Sequence, residues 1–131
     1  MMHRVEQRFA NDCWKACVAS LLELPYQEVA AAKAGDDEGW YSFWKRWFAD
    51  RGFAWWERPI DGGRYVGFGE LTIVSGASPR TDGDHCVLAQ NGEIVWDPHP
   101  QREMGIGPIT SVTMLVPLDP ARMSQRGLEP A

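Results

Sequence analysis

Cysteine and histidine side chains can serve as nucleophile, base or metal ligand, and this chain has three of each. They are Cys13, Cys17 and Cys86, and His3, His85 and His99. Cys13 follows Asn11 and Asp12, which are favoured at helix N-caps, so we expect it in the first turn of a helix. The unpaired N–H groups and the positive dipole end there favour a thiolate, the nucleophilic form of cysteine. The spacing therefore predicts a nucleophile at Cys13 and ordinary packing for Cys17, one turn further along.

A cysteine nucleophile needs a base, and the base needs an acceptor for its second ring nitrogen. His85 begins a predicted strand after a polar loop, whereas His3 lies in an N-terminus that we expect to fray. Asp97 ends the return strand of a hairpin that turns at Asn91-Gly92. A regular register places Asp97 opposite Cys86 and on the face away from His85. A bulge, or the irregular backbone before Pro98, could bring the two side chains together, and the spacing by itself places them only in the same neighbourhood.

Acyl transfer also needs hydrogen-bond donors for the oxyanion that forms on the substrate. A backbone N–H at the helix N-terminus is one candidate, and the side-chain amide of Gln7, six residues before Cys13, is another. We expect three further side chains near the substrate. These are Trp14 beside the nucleophile, Arg80 on the loop that leads to His85, and His99 between two prolines. His99 also competes with His85 for the role of base.

The elements that position these residues follow from hydrophobic periodicity and from turn residues. Helices are predicted from Cys13 to about Glu23, from Tyr26 to Ala34 and from Gly39 to Asp50. Strands are predicted over Phe53–Glu57, Tyr65–Phe68, Leu71–Ser75, His85–Gln90, Glu93–Asp97 and Val112–Val116. Helices followed by strands predict an α+β fold with a mostly antiparallel sheet. We expect a single domain over residues 1–116 and a loosely ordered tail over residues 117–131.

Composition narrows the classes of partner. The chain has 131 residues and a formal net charge of −5, whereas a nucleic-acid-binding domain normally presents a basic face. No apolar run approaches the roughly 20 residues of a membrane span. The N-terminus MMHRVEQRF lacks the apolar stretch of a signal peptide. We therefore expect a cytoplasmic protein with reduced thiols and no disulfide framework, which the odd cysteine count also favours.

Two segments resemble the papain-like cysteine peptidases, in particular the small C39-like peptidases of bacteria and phages. They are NDCWKACVASLLELP and DHCVLAQNGEIVWDPHP. The order Gln7, Cys13, His85, Asp97 is also the order of the catalytic residues in that superfamily. One difference is that Trp14-Lys15 stands where the C39-like peptidases usually have Gly-Pro. A tryptophan at this position would narrow or shape the substrate cleft.

The resemblance implies a papain-like fold, in which an N-terminal helix carrying the cysteine packs on a sheet carrying the histidine and the aspartate. It implies Cys13 as nucleophile, His85 as general base and acid, and Asp97 as the residue that orients it. Gln7 would then lie in the oxyanion hole. The implied activity is thiol hydrolysis of a peptide, isopeptide or related amide bond in a peptide or protein substrate, without a cofactor.

Three other functions remain open from the residues alone. The same catalytic set serves acyl transfer to an amine, as in transglutaminase-like enzymes. A zinc site would take its ligands from Cys13, Cys17, His85 and Cys86. The geometry fits zinc poorly, because Cys17 lies on the apolar stripe of a helix and His85 and Cys86 point to opposite faces of a strand. The chain would also suit an inactive papain-fold protein that binds a partner in a tryptophan-rich cleft. The sequence does not determine an oligomeric state.

Overall fold

The structure is a computed structural model that describes residues 3–9, 12–33, 38–60 and 69–119. In this part of the chain, helices precede strands. The helices are α1 (Cys13–Leu22), α2 (Tyr26–Ala30) and α3 (Trp40–Asp50). The strands are β1 (Phe53–Pro59), β2 (Thr72–Ala77), β3 (Asp84–Gln90), β4 (Glu93–Trp96) and β5 (Ile109–Pro117). A short 3₁₀ turn, Arg102–Met104, lies between β4 and β5.

The strands form one sheet in the order β1-β5-β2-β3-β4, and all neighbouring strands are antiparallel. The predicted α+β class with an antiparallel sheet is confirmed. Helix α1 packs on β3 and β2, while α3 packs on β1. The helices therefore cover one face of the sheet and bring the start of α1 against the central strands.

Both ends of α1 are close to the prediction, but its N-terminus is held differently. Asp12 occupies the N-cap position without capping the helix with its side chain. Its carboxylate instead accepts hydrogen bonds from the backbone N–H of Arg8 and the hydroxyl of Tyr26. At the other end Glu23 adopts a left-handed conformation with φ of 58°, and Pro25 prevents the helix from continuing. Asn11 lies outside the described residues.

Helix α2 is shorter than predicted, because it ends at Ala30 rather than reaching Ala34. The N–H of Ala32 bonds to the carbonyl of Val29 three residues back, which tightens the last turn. Ala32 is then buried against the core. Burial of this small side chain thus outweighs the helix propensity of the alanine run. The predicted end at Ala34 lies outside the described residues.

Several strands are longer than predicted, because pairing with neighbouring strands lengthens them and the sequence of one strand does not show this pairing. The last strand runs over Ile109–Pro117 rather than Val112–Val116, because its whole length pairs with β1 or β2. The predicted strand over Tyr65–Phe68 lies outside the described residues. Beyond the end of β5, the N–H of Leu118 donates to the carbonyl of Gly52 at 2.8 Å. Residues 120–131, most of the predicted tail, also lie outside the described part.

The two faces of the sheet carry two separate apolar clusters. The larger one joins α1 and α3 to the sheet and is rich in aromatic side chains, with Phe48 fully buried near its centre. The smaller one contains Val74, Val87, Ala89 and Val112 on the opposite face. In the described ranges, no helix combines the length and apolarity needed to cross a bilayer.

Truncation of Phe48 should test the larger cluster. The ring touches Trp14, Trp44, Trp47 and Trp55, so Phe48→Ala leaves a cavity that these large side chains cannot fill. We expect a loss of about 3–5 kcal/mol in the free energy of unfolding, measured by urea denaturation. The control Ile94→Ala, at a side chain 47% exposed, should change it by less than about 1 kcal/mol. Equal losses in the two variants would contradict this arrangement of the core.

Candidate active site

The Cys13 thiol lies where the first residue of α1 meets β3. Its side chain is half-buried and interacts with the imidazole of His85 and with the thiol of Cys86, both on that strand. Packing of α1 on β3 creates this contact, since residues 13 and 85 are far apart in sequence. The structure therefore brings the predicted nucleophile to the predicted base.

His85 and Asp97 form a buried pair. Nε2 of His85 is 2.8 Å from Oδ1 of Asp97, and the side chains are only 4% and 5% exposed. The same carboxylate oxygen accepts the backbone N–H of His99 at 2.9 Å. Because Nε2 is engaged with the carboxylate, Nδ1 is the ring nitrogen left for Cys13. This is the arrangement that a base needs if its orientation is to be fixed by an acceptor.

A β-bulge brings Asp97 to His85. The pairs in the β3–β4 hairpin are Gln90 with Glu93, Ala89 with Ile94 and Leu88 with Trp96. Val95 is therefore an extra residue, and the regular register that would place Asp97 opposite Cys86 is wrong. With the shifted register Asp97 comes opposite Val87, which shares a face with His85 because residues two apart on a strand point the same way. The insertion of one residue thus moves the carboxylate to the face of the imidazole.

Burial and neighbouring charges set the protonation of His85. Burial acts to lower its pKa, but the hydrogen bond to Asp97 and the interaction with Cys13 outweigh it and raise the pKa to about 9. The partner carboxylate thus favours the charged imidazolium form of His85 in spite of its burial.

The expected low pKa of Cys13 at the helix N-terminus is wrong. The contact with the Cys86 thiol and the burial of the side chain raise the pKa of Cys13, and they outweigh the lowering by His85. The expectation assumed that the helix end faces water, whereas β3 covers it. Burial and the neighbouring thiol therefore act against thiolate formation at Cys13, and the imidazole of His85 acts in favour of it.

Gln7 is buried in the segment that precedes α1. Its backbone N–H donates to the carbonyl of Pro98 at 2.9 Å, which ties the N-terminal segment to the residues that follow β4. Its side-chain Nε2 donates to the carbonyl of Phe9 at 2.9 Å, and the N–H of Asp12 bonds to that same carbonyl. The buried amide therefore packs on the turn that leads into α1. The amide oxygen Oε1 is buried without a hydrogen-bond partner.

Arg80 and His99 lie near His85, and their predicted contact with substrate stays a prediction. The ring of His99 meets that of His85 edge-on, with centroids 6.1 Å apart. Burial, together with the charges of Arg80 and His85, lowers the pKa of His99. Its Nδ1 accepts the backbone N–H of Gln101 at 2.9 Å, so the neutral ring carries its proton on Nε2. His99 is bound to Asp97 by its backbone rather than by its ring, and His85 alone has the geometry of the base.

The Trp14 side chain packs against α3 and β1. Its ring packs in an aromatic cluster with Trp40, Trp44, Phe48 and Trp55, at centroid distances of 5.1 to 6.2 Å. It also lines an open cavity of about 400 Å³ next to Trp40 and Trp44. The structure thus places Trp14 next to the nucleophile in sequence and against α3 and β1 in space.

The sequence did not predict the interaction between Cys86 and Cys13. Neighbouring residues of a strand point to opposite faces of a sheet, so the position of Cys86 next to His85 did not indicate it. Among the described residues, no group of three or more histidine, cysteine, aspartate or glutamate side chains is arranged to hold a metal ion. The four residues considered for zinc therefore do not form such a site.

No protein-family model, curated protein or solved structure matches this chain. Its function is therefore inferred from the chemistry of the site and from the order of its residues.

Stability should fall with pH through the titration of His85. A group whose pKa is raised from 6.5 to about 9 on folding stabilises the folded state fully below the lower value, and this contribution is lost as pH rises through the higher one. We expect the free energy of unfolding, measured by urea denaturation, to decrease between these two pH values. In Asp97→Asn, which removes the carboxylate, the decrease should disappear. Parallel pH curves for the two proteins would contradict the buried ion pair.

Proposed function

We propose that this chain is a thiol hydrolase that cleaves a peptide, isopeptide or related amide bond through an acyl-enzyme on Cys13. The observation that carries the proposal is the buried His85–Asp97 pair, 2.8 Å between Nε2 and Oδ1, with its imidazole against the Cys13 thiol. A sulfur, an imidazole and a buried carboxylate in this order form a nucleophile, a base and an orienting group.

The arrangement of the elements supports a papain-like assignment as part of the same proposal. The cysteine opens an N-terminal helix that packs on an antiparallel sheet, and the histidine and aspartate come from a later hairpin of that sheet. Gln7 precedes the cysteine and is tied by its backbone to the segment that follows the hairpin. These positions agree with those that the resemblance to the C39-like peptidases implies.

The chemistry would begin when His85 and Cys13 together lose one proton. The resulting thiolate attacks the carbonyl carbon of the substrate, and the carbonyl oxygen becomes an oxyanion. Free N–H groups in the first turn of α1 and the remaining N–H of the Gln7 amide are the donors for this oxyanion. The imidazolium of His85 then protonates the leaving amine, and water, activated by the same ring, hydrolyses the thioester.

Substrate binding would use the His85 side of the cleft. Arg80 supplies a cation, and His99 supplies a neutral ring with its proton on Nε2. A guanidinium and an N–H donor suit the carbonyl or carboxylate groups of a peptide or protein substrate. A reduced thiol is required for every step, so we place the reaction in a reducing compartment such as the cytoplasm.

Labelling with iodoacetamide tests the nucleophile and its base. We expect modification at Cys13, because Cys17 and Cys86 are 0% and 4% exposed. The rate should increase with pH, because only the thiolate reacts. His85→Gln should shift this pH dependence and slow labelling by roughly tenfold or more, since the imidazole lowers the pKa of Cys13. Cys17→Ala, the matched control, should label like the unchanged chain. The proposal fails if His85→Gln alters neither the rate nor its pH profile.

Hydrolysis of a library of fluorogenic peptide amides tests the activity itself. Cys13→Ala should abolish turnover, because it removes the sulfur on which the acyl-enzyme forms. Asp97→Asn should lower kcat/KM by about 10²–10⁴-fold, since the imidazole loses its orientation and its charge partner. His3→Gln, outside the site, should retain activity. Turnover that survives Cys13→Ala would contradict the mechanism, and transfer of the acyl group to an added amine would identify an acyltransferase.

A further inference from the structure

The carboxylate of Asp12 does not bind where its position in the sequence would place it. Asp12 is the N-cap residue of α1, yet its side chain makes no capping hydrogen bond. An aspartate at this position normally accepts the backbone N–H of the second or third helical residue, here Trp14 or Lys15. Its φ of −110° and ψ of 10° also differ from the extended backbone of a capping residue. A group outside α1 therefore holds this carboxylate.

Tyr26, the first residue of α2, supplies the main hydrogen bond to this carboxylate. The Tyr26 hydroxyl donates to Oδ2 of Asp12, and the same oxygen accepts the backbone N–H of Arg8 at a longer distance of 3.4 Å. Both side chains of the hydroxyl–carboxylate pair are buried. A hydrogen bond to a charged acceptor is stronger than a neutral one, and burial strengthens it further. The loss of the hydroxyl would therefore leave the carboxylate with one weak partner.

The hydroxyl is fixed in place beside the start of α1. Helix α2 packs on α1, and the guanidinium carbon of Arg8 lies 4.4 Å from the centroid of the Tyr26 ring. The backbone of Asp12 is held as well, since its N–H donates to the carbonyl of Phe9 at 3.2 Å. Burial and the bond to Asp12 raise the pKa of Tyr26 to about 12. The hydroxyl thus remains a hydrogen-bond donor at neutral pH.

We propose that Tyr26 is a positioning residue, whose hydroxyl holds the Asp12 carboxylate away from the N-terminus of α1 and so keeps the N–H groups of the first turn available to a substrate oxygen. The catalytic consequence rests on the proposed function, in which these N–H groups are donors to the oxyanion. A carboxylate that capped the helix would accept one of them. It would also place a negative charge beside the oxyanion, which the helix end would otherwise stabilise.

Tyr26→Phe isolates this role, because it removes the hydroxyl and keeps the buried ring. A buried carboxylate that loses a donor is costly until it finds another. The free N–H groups of the first turn of α1 follow Asp12 directly in the chain, so we expect the carboxylate to turn toward them. The variant would thereby gain a helix cap while losing the open helix end. A purely structural tyrosine would produce no such gain.

Amide hydrogen exchange, followed residue by residue by NMR, tests the position of the carboxylate without reference to activity. In Tyr26→Phe the exchange of the N–H of Trp14 or Lys15 should slow by about fivefold, which corresponds to a typical cap. Tyr41→Phe, the matched control at a tyrosine 61% exposed, should exchange like the unchanged chain. Unaltered or faster exchange at both residues of Tyr26→Phe would overturn the inference.

Hydrolysis of the fluorogenic peptide amide that the unchanged chain cleaves fastest tests the catalytic consequence. Tyr26→Phe should lower kcat by roughly tenfold or more and leave KM unchanged, because the oxyanion exists only beyond the ground state. Iodoacetamide labelling of Cys13 forms no oxyanion, so it should slow by less than about fivefold, the effect of one charge near a helix end. Equal slowing of both reactions would indicate a displaced helix and would overturn the inference.

Removal of the carboxylate as well separates positioning from support of the fold. Tyr26→Phe combined with Asp12→Ala should abolish the slower exchange at Trp14 and Lys15 and recover part of the lost kcat, whereas a purely structural tyrosine predicts a further loss. An unchanged chain that hydrolyses no amide would refute the proposed function, and the exchange rates would still decide where the carboxylate lies. Turnover that Tyr26→Phe leaves at full kcat would overturn this inference alone.

Discussion

The hydrogen bond between His85 and Asp97 is the interaction on which the site depends. Two ionisable side chains are removed from water at the end of a hairpin, and each is tolerable there only because the other compensates it. One carboxylate oxygen accepts both the imidazole N–H and the backbone N–H of His99. The bond therefore fixes the ring, the end of β4 and the loop that follows it in a single geometry.

Around this pair, packing determines which groups meet the thiol. The aromatic cluster holds α1 against α3 and β1. The same packing places the first turn of α1 on β3. As a result Cys13 interacts with the imidazole of His85 and with the thiol of Cys86. The imidazole lowers the pKa of Cys13, whereas the second thiol and burial raise it, and the raising effects are the larger ones.

Short sequence patterns predicted those helices and turns whose positions depend on neighbouring residues in the chain. The helical stripe that starts at Cys13, the proline that stops α1 and the Asn91-Gly92 turn all appear where propensity and periodicity place them. The α+β class follows from the order of those elements. Where contacts between elements override propensity, as at the early end of α2 and the extended β5, the predicted bounds differ from the structure.

The sequence by itself determined which side chains can do chemistry, their order along the chain and the elements that carry them, because residue type and periodicity are local properties. Only the tertiary structure decided which of them meet. The extra residue at Val95 moves Asp97 to the face of His85, and the packing of α1 on β3 brings Cys86 to Cys13. The tertiary structure also raises the pKa values of Cys13 and His85. Their burial and their interacting neighbours arise only when the helix and the hairpin pack together.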